Sequence, residues 1–323
     1  SSAIVADDRS DKNIEAFEGT KFADTLIGDK QTNTLLGGLG DDTLRGEAGG
    51  DILNGGGGDD LIYGGDGNDQ LSGDIGTDIL SGGNGDDVLA LGDGTNVTGT
   101  WQYAYGNAGN DTYLIDANSG NVFISAEASY EGAADGTADR LIFNDLNIAD
   151  ISFSYLDYGT TNANGKALQM TWSTGQLRVG LEGKYIESYE FGDGTKVSSI
   201  SLDETGRLWL TGTADGDKIV ASRNGDVIRG LDGNDFLYGS NGDDTIVGGN
   251  GSDYLNLGGG TSTSNSWQHA YGNAGNDTYL VYANSGNVFI SAEAGYEGAA
   301  DGTERLIFND LNIADISFSY LDY

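Results

Sequence analysis

Aspartate recurs in this chain at a fixed phase, and that spacing is the first clue to its chemistry. Counting in nines from Gly19, the sixth positions are Asp24, Asn33, Asp42, Asp51, Asp60, Asp69, Asp78 and Asp87. A second run from Gly212 places Asp217, Asp226, Asp235, Asp244 and Asp253 in the same way. Two isolated units, 106–114 and 272–280, add Asp111 and Asp277. Such a set of carboxylates offers hard oxygen donors, the chemistry of a divalent cation site. Acid–base catalysis is a poorer fit, because carboxylates so numerous make any one pair uninformative. The only histidine, His269, aligns with Tyr103 in a sister segment, which favours packing or a surface position over catalysis. The sequence has no metalloprotease helix, no Ser-His-Asp set and no cysteine nucleophile. We therefore expect no enzyme activity in this chain.

The elements that position these aspartates follow from the same period. The eighth positions are Leu26, Leu35, Leu44, Leu53, Ile62, Leu71, Leu80 and Leu89, then Ile219, Ile228, Leu237, Ile246 and Leu255. Each nonapeptide thus ends in a three-residue segment with a central aliphatic, a minimal strand. The six residues before it must reverse the chain, and glycine allows the positive φ that such turns need. Two nonapeptides make an 18-residue coil, and stacked coils place parallel strands about 4.8 Å apart. Turn n then lies beside turn n+2. Residues 37–42 should meet 55–60, 55–60 should meet 73–78, 46–51 should meet 64–69, and 64–69 should meet 82–87. In the second array, 212–217 should meet 230–235, 230–235 should meet 248–253, and 221–226 should meet 239–244.

Units such as Gly82-Gly83-Asn84-Gly85-Asp86-Asp87-Val88-Leu89-Ala90 carry the pattern G-G-x-G-x-D-x-U-x, with U a large apolar residue. The chain here resembles the RTX family of haemolysin-type calcium-binding repeats. The resemblance covers 19–90, 212–256 and the two isolated units. It implies an all-β fold, a parallel β-roll stacked around several calcium ions. It also implies a shell made by the position-six aspartates with backbone carbonyls of the glycine turns. Those carbonyls are Gly38, Gly40, Gly56, Gly58, Gly65, Gly67, Gly83, Gly85, Gly233, Gly242, Gly249 and Gly251. Magnesium is disfavoured because it holds its waters and demands a tighter octahedron. Unit 28–36 has Asn33 for Asp, 19–27 lacks the second and fourth glycines, and 221–229 has Ala221 and Asn224 where glycine is expected. These read as capping coils with weak or empty sites. If the insertions at 91–105 and 257–271 loop out, Asp111 stacks over Asp78 and Asp277 over Asp244.

Composition agrees with a scaffold that folds around cations. The chain holds 51 Asp+Glu against 15 Lys+Arg, a formal charge of −36, which opposes compaction unless neutralised. With 37% hydrophobic residues, 17 Tyr and 10 Phe, it is too apolar for an acidic disordered tail. Its 55 glycines come without proline, which excludes collagen. Nucleic acid is not an expected partner, since phosphate binding needs a basic patch. No run approaches the roughly 18 apolar residues of a transmembrane helix. The start, Ser1-Ser2-Ala3-Ile4-Val5, lacks the basic residues and apolar core of a secretory signal.

A longer repeat lies over the short one. Trp101 to Tyr158 returns as Trp267 to Tyr323, almost letter for letter. This predicts tandem modules. Residues 1–18 end a preceding module or form a linker, and 19–114 form a first roll with its insertion at 91–105. A β-rich capping segment follows at 115–211. A second roll spans 212–280, with its insertion at 257–271, and a truncated second cap occupies 281–323. Strands are expected at 140–146, 151–158 and 186–191, with a hairpin joining 167–172 to 176–181. The stretch from Asp139-Arg140-Leu141-Ile142-Phe143 to Gly192-Asp193-Gly194 is similar to segments that often follow such repeats, and should seal the open end of the roll.

The family resemblance implies an extracellular or cell-surface bacterial protein, folded by external calcium and exported by one-step secretion. We expect a structural or adhesive segment of a surface layer, filament, matrix or adhesin, from a protein longer than this chain. The alternative is the calcium-binding accessory module of a secreted enzyme of the alginate epimerase, lipase or protease type. Expected partners beyond calcium are other copies of the chain and surface or matrix components. Polysaccharide is a further candidate, because Trp101, Trp172, Trp209 and Trp267 could stack on sugars, although buried aromatics are more often structural.

Overall fold

An aliphatic residue flanked by outward-facing neighbours, repeated every nine residues, has one inexpensive place to go: the interior of a two-sheet roll. In the computed structural model Leu26, Leu35, Leu44, Leu53, Ile62, Leu71, Leu80 and Leu89 are each at most 2% exposed. The structure describes residues 2–5, 16–94, 100–125, 138–157, 166–179, 186–222, 225–259, 267–291, 302–312, 314 and 316–317. Much of the expected leading linker, parts of both insertions (95–99 and 260–266), Asn224 and residues 318–323 lie outside the described residues. Among the described residues there is no α-helix, only a 3-10 turn at Ile148–Asp150. The chain forms two compact units, Ser1–Asp193 and Gly194–Tyr323.

In the first unit, alternate half-coils feed alternate sheets. One sheet runs in parallel through Asp24–Ile27, Thr43–Ala48, Leu61–Asp66 and Ile79–Asn84, with Leu44 opposite Ile62 and Ile62 opposite Leu80. The other runs through Thr34–Leu39, Ile52–Gly57, Gln70–Gly76 and Val88–Ala90, with Leu35, Leu53, Leu71 and Leu89 in line. The fold is a parallel β-roll.

Parallel pairing does not stop where the nonapeptides do. Gln102–Ala108, Asn121–Ser125 and Gly175–Val179 continue the first sheet. Thr112–Ile115, Arg140–Phe143 and Ser188–Glu190 continue the second. Among the described residues the first sheet ends in an antiparallel set: Ser152–Asp157 pairs with Lys166–Trp172, which turns at 173–174 into Gly175–Val179. The segment expected only to cap the roll therefore also extends it. Inside this extension Ala104 replaces a leucine in the first sheet, and Tyr113 fills the matching place in the second. Both are fully buried, and small against large keeps the interior filled.

The second unit repeats the plan. A hairpin of Ser199–Leu202 and Leu208–Thr211 opens a sheet that continues in parallel through Val227–Asp232, Thr245–Asn250, Trp267–Ala274 and Asn287–Ser291. The facing sheet contains Lys218–Val220, Phe236–Tyr238, Tyr254–Asn256, Thr278–Tyr282 and Arg305–Asn309.

Candidate metal centre

The position-six aspartates sit where each turn re-enters its strand, and they stack into ladders. On one edge of the first unit the backbone N–H of Asp24 donates to Asp42 Oδ1, Asp42 to Asp60, and Asp60 to Asp78, at 2.7–2.9 Å. On the other edge Asn33 donates to Asp51, Asp51 to Asp69, and Asp69 to Asp87. In the second unit Asp217, Asp235, Asp253 and Asp277 form one ladder, and Asp226 with Asp244 forms another. Each turn therefore meets the partner that the 18-residue coil assigns it.

Two stacking expectations are corrected. Asp111 lies over Asp87, not Asp78, because the Asp87 amide donates to Asp111 Oδ1. Asp277 lies over Asp253, not Asp244. The reason is that the insertions do not loop out entirely. Gln102–Ala108 and Trp267–Ala274 supply an additional half-coil that stacks on the Asp78 and Asp244 edges.

The carboxylates divide into two classes according to the backbone at position two of their turn. In the closed class position two donates to the position-six side chain. The N–H groups and hydroxyls of Thr20, Thr213 and Ser222 bond Oδ2 of Asp24, Asp217 and Asp226. The Ser240 N–H bonds Asp244 Oδ2, and the Asp29 N–H bonds Asn33 Oδ1. In the open class position two has a positive φ: Gly38, Glu47, Gly56, Gly65, Asp74, Gly83, Leu231 and Gly249. Oδ2 of the matching residues Asp42, Asp51, Asp60, Asp69, Asp78, Asp87, Asp235 and Asp253 is then buried with no hydrogen-bond partner. Bulky Glu47 and Leu231 adopt this conformation too, so it is imposed by the stack and not merely permitted by glycine.

An ionised carboxylate oxygen to which no protein group donates is a costly thing to bury. Burial pushes Asp87 up to about 8, helped by the charges of Asp111, Asp69 and Asp86. Burial likewise raises Asp60, Asp78 and Asp253 to about 7 and Asp51 and Asp235 to about 6. Carbonyl oxygens crowd the same edge. Gly38, Gly40, Gly56, Gly58, Gly65, Gly67, Gly83, Gly85, Gly233, Gly242, Gly249 and Gly251 all have φ between +101 and +137. A Cβ on Gly56 would collide with the Gly38 carbonyl oxygen, and one on Gly58 with that of Gly40. Among the described residues no three acidic or histidine side chains converge on one point. The donor set is accordingly one carboxylate per turn together with carbonyls, an all-oxygen set that suits a hard cation. The orphaned Oδ2 atoms show that the residues present fit such an ion.

The decisive comparison concerns the repeat itself. The family described as RTX calcium-binding nonapeptide repeat (4 copies) matches residues 18–53, 45–80, 63–97, 211–246 and 230–263. These are RTX calcium-binding repeats. They bind Ca²⁺, which supplies the positive charge that the buried aspartates of an RTX turn lack. No curated protein matches the chain.

The RTX ladder also reaches residues that the nonapeptide count misses. The Asp111 N–H donates to Asp139 Oδ1, and the Asp139 N–H to Glu187 Oε2, both at 2.8 Å. Asp139-Arg140-Leu141 and Glu187-Ser188-Tyr189 keep the acid-x-apolar end of the motif without its glycines. That tail was the available signal. His269 is half-buried against Tyr271, with ring centroids 6.2 Å apart, and burial lowers its pKa. No helix among the described residues is long and apolar enough to cross a membrane.

Proposed function

We propose that this chain is a calcium-folded structural segment of a secreted bacterial RTX protein, working in a surface layer, filament, matrix or adhesin. The observation that carries the reading is the duplicated module. Gln102–Ala108 and Thr112–Ile115 recur as Trp267–Ala274 and Thr278–Tyr282 with the same parallel pairing. Tandem copies of one unit suit an extended assembly better than a single reaction centre. External calcium would fill the open turns at the affinities usual for extracellular modules, roughly 10⁻⁴–10⁻³ M. In a calcium-poor cytoplasm the charge of −36 would keep the chain expanded for export. The reading includes no catalytic step.

Light scattering across a calcium titration, with chelator as control, tests it. Growth into large ordered particles as calcium rises is the expected result. A compact monomer at saturating calcium would overturn the assembly role and favour an accessory module of a secreted enzyme.

A further inference from the structure

The insertions hide a turn of their own. Asp93–Gly94 pairs in parallel with Ile75 and Gly76, as Gly57 pairs with Ile75 one coil earlier on the path. Residues 93 and 94 therefore hold positions three and four of a turn. Gly92, at φ +70, holds position two, and a Cβ there would collide with the Asp74 carbonyl oxygen. The edge is resumed at Gln102. Tyr103 pairs with Ile79 and Ala104 with Leu80, which puts Gln102 at position six, in line with Asp78 and Asp60. The turn is split between positions four and six, and it belongs to the open class.

Gln102 is 2% exposed, and its Nε2 donates to the Ser119 carbonyl at 2.8 Å. A carbonyl accepts only from the NH₂ end of an amide, so this bond fixes which end is oxygen. Oε1 is left buried without a hydrogen-bond partner. In the turn beneath, Asp78 Oδ2 is orphaned as well. The second unit repeats the arrangement. Gln268 is 1% exposed, donates to the Ser285 carbonyl at 2.9 Å, and keeps an orphaned Oε1. Gly258, at φ +63, faces the carbonyl oxygens of Gly239 and Ser240, and Asn241 bridges to Gly259. A lone orphaned amide oxygen could be incidental. Two in the same frame, each with its NH₂ end tied down, describe a built feature.

We propose that each split turn is a calcium site in which the amide oxygen of Gln102 or Gln268 takes the place of the position-six carboxylate. Backbone carbonyls of the turn beneath supply further oxygens, the Asp74 carbonyl at Gln102 and those of Gly239 and Ser240 at Gln268. Asp78 Oδ2 adds the anionic donor at Gln102. Calcium accepts amide oxygens readily, and fewer anionic donors make a weaker site. The Gln268 site is the weaker of the two, because Asp244 Oδ2 already accepts the Ser240 N–H. The inference rests on the calcium reading of the rolls.

The test counts calcium bound per folded chain at saturating concentration, using the full chain and the double variant Gln102→Met/Gln268→Met. Methionine keeps the length of the side chain and removes the oxygen, together with the NH₂ that donates to the Ser119 or Ser285 carbonyl. A loss of two ions with an unchanged circular dichroism spectrum is expected. A loss of one confines the site to Gln102. An unchanged count overturns the proposal and leaves Oε1 to a buried water. If the methionine variant does not fold, Gln102→Asn decides. It keeps the amide but draws its oxygen back by one methylene, so the loss of one ion with the fold kept is expected, and an unchanged count overturns the proposal. Should the unaltered chain bind no calcium, the reading of the rolls fails, and that result is distinct from a count that the glutamines do not move.

Discussion

Asp139 accepts the backbone N–H of Asp111 on Oδ1 at 2.8 Å, across 28 residues of sequence, and so carries the aspartate ladder past the last nonapeptide. Its own N–H donates onward to Glu187. The roll thus ends on an acidic side chain held by the same type of bond that joins its coils. Asp139→Ala would strip a buried N–H of its acceptor, at a cost of about 1–3 kcal/mol. In a unit of this size each kcal/mol lowers the melting temperature by about 2–4 °C. Asp139→Asn keeps an acceptor and should lose less. Thermal melts in saturating calcium check this, and equal losses for the two variants would mean that the ladder bond is not what matters.

Asp60 and Asn33 occupy the same position in different classes of turn. Asp60 takes the Asp42 N–H and keeps an orphaned Oδ2, whereas Asn33 Oδ1 is already satisfied by the Asp29 N–H. Asp60 also stands between two stacked turns, 37–42 and 73–78. Asp60→Ala should therefore raise the calcium midpoint for folding by roughly tenfold or more, since ligand charge tunes affinity in such sites. Asn33→Ala should shift it little. Calcium titrations followed by circular dichroism distinguish the two, and matched shifts would sink the division into open and closed turns.

The sequence carried the phase of the roll because position eight must be buried and position six must sit at the edge, whatever fills the remaining places. Leu44, Ile62 and Leu80 could be aligned by counting, and so could Asp42, Asp60 and Asp78. Counting failed where chain length between strands stopped being constant. Gln102 follows Asp78 by 24 residues and Asp139 follows Asp111 by 28, so neither falls in an 18-residue frame. Asp111 and Asp277 likewise stand 24 residues beyond Asp87 and Asp253, outside the 18-residue frame. Open and closed turns were also hard to read, because Glu47, Asp74 and Leu231 adopt the positive φ expected of glycine. That conformation comes from stacking against the neighbouring turn, which no local propensity reports.

Without calcium the fold must bury its carboxylates uncompensated, so chelator at neutral pH should abolish most of the β signal that about 5–10 mM calcium supports, a range above the weak extracellular affinities. Protons can partly replace the cation. Asp60, Asp78 and Asp253 rise to about 7 and Asp87 to about 8 in the folded chain, against the ordinary 3.8. The folded state thus binds more protons than the unfolded state between these values, and stability falls as pH rises. Their contribution is fully present below about pH 4 and is lost as pH climbs through about 7–8. In chelator, β structure should return on acidification from pH 8 towards about 4–5. A flat response over that window would show that burial of these carboxylates does not limit the calcium-free fold.

Ser240 provides the sharpest test of the open turn, because it closes a turn lying inside the second roll. Its N–H donates to Asp244 Oδ2 at 2.8 Å, and Asp244 in turn accepts the Asp226 N–H on Oδ1. Ser240→Gly lowers the Cβ cost of the positive φ that stacking imposes even on Glu47 and Leu231, so position two can follow its neighbours into the conformation that Gly56 and Gly83 show in open turns. The Ser240 N–H would then leave Asp244, whose buried carboxylate would need another partner. We expect this variant to bind one more calcium ion per chain than the unaltered protein, and to depend more steeply on calcium for folding. Ser240→Ala keeps the Cβ and the N–H donor, and should leave the count unchanged. If both variants bound the same number of ions as the parent, the backbone at position two would not control access to the carboxylate, and the two classes of turn would differ in geometry alone.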